Sequence, residues 1–238
     1  MKLFKGILLV LIITVQCVMA QETTTKSART GENQSAFVNH FTRAYLLAMK
    51  YGDYNQAINA VYNVMAEFPK NDSLKYSLAY LYYQAKNIPS SVLAASELLK
   101  TNPGHIGALE IVGNGYESLG LKDKSLDAYE TLYLKTNDYQ TLYKVAFLQF
   151  DLQRYSECNT NLDILLKKPE SDSLMVYYTT ADNKEKEYSI KVSLLNMKGL
   201  VGKAKGDKVN AKKYFEQALV IAPDFELAKD NLATLDSK

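Results

Sequence analysis

Side chains that could carry out chemistry are sparse in this 238-residue chain. Its two histidines, His40 and His105, stand at no helical spacing from a Cys, Asp or Glu set that could complete a metal site, so surface or helix-cap roles are expected for both. Cys-x-x-Cys, Gly-x-Ser-x-Gly, His-Glu-x-x-His and a glycine-rich phosphate loop are all absent. Glu110 and Glu117, seven residues apart on one helical face, could be drawn as an acid–base pair, but no catalytic constellation supports them and solvated carboxylates are expected. Cys158 falls at a recurrent small position, where a packed and inert thiol is expected. The reading is therefore of a non-enzyme with no catalytic residue, no metal and no cofactor.

The elements that would position any site are set by a repeat. Ala57, Ser91, Ser125, Cys158 and Ala211 are separated by 34, 34, 33 and 53 residues, a steady period broken by one insertion of about nineteen residues. Pro69, Pro103, Pro169 and Pro223 follow these small positions by eleven or twelve residues and end helices there. Gly52, Gly120 and Gly206 precede three of them by five, where a tight turn between two helices belongs. Apolar spacing inside the unit is helical, as in Leu78, Leu81 and Tyr82, then Val92, Ala95, Leu98 and Leu99. Helices are expected near 36–51 and 54–68, 72–86 and 89–101, 105–119 and 122–136, 139–152 and 155–167, and 191–205 and 208–221. A final helix, capped by Asp224, is expected to run to Asp236 with Lys229, Asp230 and Asn231 outward. In the insertion, apolar and aromatic runs at Leu174–Thr180 and Glu185–Ile190 flank an Asp-Asn turn, which reads as a β-hairpin at about 173–190.

These motifs resemble the tetratricopeptide repeat family. Val112-Gly113-Asn114-Gly115-Tyr116 matches its first-helix motif, and Gly199, Gly206-Asp207, Ala211, Phe215, Ala218 and Pro223 fit its register in the last repeat. The resemblance covers about Val38 to Pro223; the chain departs from it in lacking Trp, in placing Ser or Cys at three small positions, and in having Asn137 where a Pro would end the third repeat. It implies an all-α, right-handed α-solenoid of about five helix pairs, with a C-terminal capping helix and the one inserted β-hairpin. It further implies a concave groove lined by the first helix of each pair. The family's lining positions fall here on Tyr76, Tyr80 and Tyr83, on Glu110, Asn114 and Glu117, and on Tyr143, Phe147 and Phe150. A protein or peptide partner is the implied ligand, although some of these rings could instead pack between repeats. The Lys/Asn/Arg carboxylate clamp of chaperone-binding members is absent, because Thr42, Leu46, Gly107 and Ile111 stand at those places.

The ends and the charge narrow the setting. Lys2 and Lys5 precede an apolar run from Ile7 to Val15 and a Val18-Met19-Ala20 ending, the pattern of a secretory signal peptide over residues 1–20. Gln16 before Cys17 argues against a lipid-modified cysteine, and retention as an anchor stays open. Residues 21–35, nearly devoid of apolar side chains, read as a flexible linker ahead of a 36–238 repeat domain. Without its first twenty residues the chain has 26 basic and 26 acidic side chains, so no electrostatic footprint for nucleic acid is present. Cys158 is then the one cysteine left, so packing and not a disulfide must hold the fold. The functional expectation is an exported, periplasmic adaptor that binds proteins through a Tyr-rich groove. A structural accessory subunit of a cell-envelope assembly is the alternative, with a glycan-binding protein or an enzyme behind it. Cleavage after Ala20 predicts a mature chain beginning at Gln21; an intact mass that retains residues 1–20 would show the segment to be an anchor.

Overall fold

The structure is a computed structural model describing residues 28–180 and 183–235, with side chains described from residue 34 onward. The expected signal segment and residues 21–27 of the expected linker lie outside the described residues. In chain order the elements are α1 (Ala28–Lys50), α2 (Tyr54–Glu67), α3 (Asp72–Gln84), α4 (Ile88–Thr101), α5 (Ile106–Ser118), α6 (Lys122–Thr136), α7 (Tyr139–Asp151), α8 (Tyr155–Lys167), the single turn α9 (Glu170–Ser173), β1 (Met175–Thr179), β2 (Glu185–Ser189), α10 (Ile190–Ala204), α11 (Lys208–Ile221) and α12 (Glu226–Ala233). This is the all-α helix-pair repeat that the spacing requires, with one antiparallel two-stranded sheet inserted before the last pair.

Each pair turns in the same way. The residue five before each small position is left-handed, at Gly52 (φ 70°), Lys86 (60°), Gly120 (74°), Gln153 (60°) and Gly206 (76°). The next amide then donates back across the helix end, as in Asp53 N to Ala48 O (2.9 Å), Asn87 N to Tyr82 O (2.9 Å), Leu121 N to Tyr116 O (2.8 Å), Arg154 N to Gln149 O (2.8 Å) and Asp207 N to Gly202 O (2.8 Å). These bonds satisfy carbonyls that a helix end otherwise leaves open. At two of the five turns the backbone geometry persists without glycine, at the steric cost of a Cβ. The second helix then starts on a side-chain cap in three pairs, with Asp53, Asn87 and Asp207 accepting from Gln56 N, Ser90 N and Asn210 N. Asn137, where proline is missing, is also left-handed (φ 50°) and so ends α6 by another means.

The small positions are fully buried at 0% exposure in all five pairs. Where serine replaces alanine its hydroxyl is satisfied by the facing helix: Ser91 Oγ donates to Ala79 O and Ser125 Oγ to Gly113 O, both at 2.8 Å. A Cβ on Gly199 would run into the Phe215 ring and one on Gly202 into the Ala211 backbone, so the last pair needs glycine where its helices approach most closely.

The chain divides into two compact units between Thr131 and Leu132, within α6. In the N-terminal unit one core cluster joins α1, α2 and α3 through Tyr45, Ala57, Val61, Leu74 and Leu81, and a second joins α3 to α6 through Ala79, Ala95, Leu98, Ala108 and Val112. In the C-terminal unit α7, α8 and α10 share a core of Leu142, Cys158, Leu162, Leu165, Leu194 and Met197. Helix α10 is buried around its whole circumference, from Ile190 to Gly202 with few interruptions, because α8, α11, α12 and both strands pack on it.

Three expectations are corrected. Residues 28–35 are helical and not linker, since Ala28, Arg29, Glu32 and Gln34 are good helix formers that extend the amphipathic α1 behind them. Asp224 does not cap α12; its carboxylate is held by Lys186 Nζ at 2.8 Å, and α12 begins after Phe225 with no side-chain cap. Asn231 does not face outward but donates to the buried Asn196 Oδ1 at 3.1 Å, while Phe225, Ala228 and Leu235 close the end of the core. Two substitutions test the pair geometry. Ala211→Leu should destabilise by about 1–3 kcal/mol through overpacking, whereas Gln153→Gly should stabilise by up to about 1 kcal/mol by relieving the left-handed strain; chemical denaturation measures both, and an unchanged Ala211→Leu midpoint would contradict the close approach.

Candidate functional site

Helix α3 carries Tyr76, Tyr80 and Tyr83 on successive turns, and all three are half-buried. Tyr76 is set most firmly: its ring lies 4.7 Å from that of His105 at 41° and covers Gly107, where a Cβ would meet the tyrosine hydroxyl and ring. His105 itself caps α5, its Nδ1 accepting from Ala108 N at 3.1 Å, which is the cap role expected for it. Tyr80 packs beside it on the α3–α6 core. On α5, Glu110 is exposed while Asn114 and Glu117 are half-buried, with Asn114 Nδ2 donating to Glu110 O at 2.8 Å. The six residues assigned to the N-terminal unit therefore all retain open surface on its first helices.

Electrostatics tie these side chains into one neighbourhood. Burial raises the Tyr76 hydroxyl above its ordinary 10.0, and the Glu110 carboxylate and Tyr80 push it the same way. Tyr129 is raised by burial, then by Glu117, Tyr83 and Glu110. Tyr129 belongs to a second helix and was not among the expected lining residues. It lies against Gly113, within 3.0 Å of where a Cβ would stand, so the missing side chain on α5 lets its hydroxyl approach the Glu110, Glu117 and Tyr83 side chains. The signal for it in the sequence is Gly113 sixteen residues ahead of an aromatic at the repeat's packing position.

The C-terminal unit treats its expected residues differently. Tyr143 is half-buried, and its hydroxyl shares a 2.8 Å hydrogen bond with Ser193 Oγ on α10. The Tyr178 hydroxyl on β1 donates to the same Ser193 oxygen at 2.7 Å. Phe150 packs on Tyr155 at 5.6 Å, while Phe147 keeps 42% of its surface exposed. Tyr143, expected to line the first-helix face, thus has its hydroxyl tied through Ser193 to the hairpin. Cys158 is fully buried, its thiol pushed up to about 12 by burial and only partly drawn back by the Lys198 ammonium, as an inert packed thiol should be. Among the described residues no His, Cys, Asp or Glu set could hold a metal ion. A further concavity of about 390 Å³ lies between α1 and α2, lined by Phe41, Leu47, Tyr51 and Gln56; Leu47 in the last turn of α1 and Tyr51 in the turn that follows it were its overlooked signal.

Comparison with known proteins follows the same lines. Residues 48–109, from the end of α1 into α5, match the family model for the tetratricopeptide repeat. A tetratricopeptide repeat protein from Parabacteroides merdae ATCC 43184 is similar over 84% of this chain and 72% of its own, at 18% identity and a TM-score of 0.60. MamA from Desulfovibrio magneticus RS-1 is similar over 80% of this chain and 97% of its own, at 11% identity and a TM-score of 0.56. Both likenesses are of fold. A human protein, Protein O-mannosyl-transferase TMTC1, is 24% identical over 186 residues; the chain spans 19% of the length of that relative.

The tyrosines give a pH prediction. Burial first, and Tyr178 among the lesser causes, holds Tyr143 at about 12, and burial with Glu170 nearby holds Tyr139 at about 12, against an ordinary 10.0. The unfolded chain loses these protons first, so stability should be whole below pH 10 and fall as pH rises toward about 12. Urea midpoints at several pH values should show this fall, and Tyr143→Phe should flatten it; an identical slope in the variant would remove Tyr143 from the account.

Proposed function

Because this chain is a tetratricopeptide-repeat protein, we propose that it is an exported, periplasmic adaptor that captures a protein segment on the first-helix face of its N-terminal unit. Protein–protein interaction is what the repeat fold is built for, since stacked helix pairs offer an extended surface and no catalytic cleft. The observation that carries the finer reading is the strip of Tyr76, Tyr80 and Tyr83, held by packing yet partly open, beside Glu110, Asn114 and Glu117 on the next first helix. Tyrosine offers a rigid apolar ring and a polar tip, so its surface can be buried by a partner at low entropic cost. Export is supported by Lys2, Lys5 and the apolar run to Val15. Among the described residues no helix is long and apolar enough to cross a membrane. Mannosyl transfer, the activity in the human relative's name, is not carried over, since the match spans only a small part of that protein.

The test uses the mature chain and its Tyr76→Ala, Tyr80→Ala and Tyr83→Ala variants, each assayed for melting temperature and for the partner captured from the native envelope fraction. At least one stable variant should lose about 1–3 kcal/mol of binding, with little dependence on salt, because rings and not a charged clamp make the contact. Three stable variants that keep the partner would end the proposal.

A further inference from the structure

The inserted hairpin packs on α10, the central first helix of the C-terminal unit. Its inner face consists of Val176, Tyr178, Lys186 and Tyr188, and its outer face of Met175, Tyr177, Thr179, Glu185 and Glu187. Val176 packs into the core shared by α7, α8 and α10. Tyr178 donates to Ser193 Oγ on α10, the atom that Tyr143 of α7 also engages. Tyr178 and Tyr188 both set their ring edges against Phe225 at the start of α12, at 5.1 and 5.0 Å. Lys186 reaches Asp224 at 2.8 Å, and Ile190 N donates to Leu174 O at 2.8 Å, closing the base of the insertion. Helices α7, α10 and α12 occupy successive first-helix slots; the strand pair packs on the middle one, meets Tyr143 of α7 across Ser193, and meets Phe225 just ahead of α12.

A two-stranded hairpin is marginal by itself. This one is ordered by the surface beneath it, which it covers with two aromatic rings, a hydroxyl bond and an ion pair. We propose that the hairpin Met175–Ser189 is a resident occupant of the first-helix face of the C-terminal unit, seated where an extended partner segment would otherwise lie. The face around Ser193 is therefore closed, with Phe147 of α7 left open beyond it, and, on the reading of the preceding subsection, capture is centred on the N-terminal unit. Closure is a steric statement about Ser193, which is 4% exposed under Tyr178.

The experiment reads the exposure of that position directly in the chain from Gln21 onward, which lacks Cys17. Ser193→Cys places a thiol beneath the hairpin, and its rate of labelling by a bulky maleimide is compared with that of the same chain also carrying Tyr178→Ala and Lys186→Ala. Buried Cys158 is the internal control for an intact fold. Hydrogen exchange of the β1 and β2 amides is followed in parallel, including in the unaltered chain. The hairpin-loosened chain should label at least about tenfold faster, since opening of a weakly held segment then limits access. In the unaltered chain the strand amides should exchange far more slowly than in a free peptide of residues 174–190. Equal labelling rates in the two chains would overturn the proposal: fast in both means an open face, and slow in both while the strand amides exchange freely means that the helices do the covering. Should the loosened chain label at Cys158, its fold is lost, and strand protection in the unaltered chain then decides, with free-peptide exchange rates counting against closure. Neither readout involves a partner, so failure of the capture reading and failure of this one are distinguishable.

Discussion

The close approach of the two helices within each pair is the constraint on which the rest of this protein depends. A residue with almost no side chain must sit where the axes come nearest, and at Ala57, Ser91, Ser125, Cys158 and Ala211 the chain meets that demand with complete burial. The choice among these residue types follows from the carbonyl opposite. Ser91 and Ser125 face an accepting oxygen twelve residues back and lose nothing by burying a hydroxyl, because each makes its bond. Where the facing residue is glycine, the space is taken by an aromatic four residues after the small position: Tyr129 against Gly113 and Phe215 against Gly199. Small residue, glycine and ring thus form one packing unit, and the ring's far end decides what reaches the first-helix face.

The same constraint explains the insertion. The side of α10 that carries Val192 and Leu195 shares one core with Ala218 of α11, Ala228 of α12 and Tyr188 of the hairpin, so the insertion completes an apolar cluster that the last helices begin. The hairpin covers this side, and its polar atoms are matched one by one, with the Tyr178 hydroxyl on Ser193, the Lys186 ammonium on Asp224 and the Tyr188 hydroxyl on the Asp224 carbonyl. On the opposite flank of α10 the buried Lys198 pairs with Asp163 and lies 4.8 Å over the Tyr214 ring, so even its one buried charge is accommodated.

Most of the fold was legible because a repeat multiplies each weak signal. One serine or glycine says little, but a small residue every 34 positions, with glycine five before it and proline twelve after, fixes helix, turn and helix together. What stayed illegible depends on single long-range contacts that no period records. Asp224 looks like a cap until Lys186, 38 residues earlier, takes its carboxylate. Asn231 looks like a surface residue until Asn196 receives it. Residues 28–35 look like a tether by composition, yet they continue a helix whose amphipathic part lies behind them.

The first-helix residues show the limit of family positions most clearly. Tyr76 and Tyr143 occupy equivalent places in their repeats and have the same side chain. Tyr76 lies against His105 and Gly107 of the following first helix, with part of its surface open. Tyr143 spends its hydroxyl on Ser193, the oxygen that the hairpin also holds. A lining position therefore specifies only where a side chain starts. Whether its tip meets solvent, a partner or the chain itself depends on what the sequence inserts between repeats, and here an insertion of about nineteen residues separates two faces that the repeat alone would make alike.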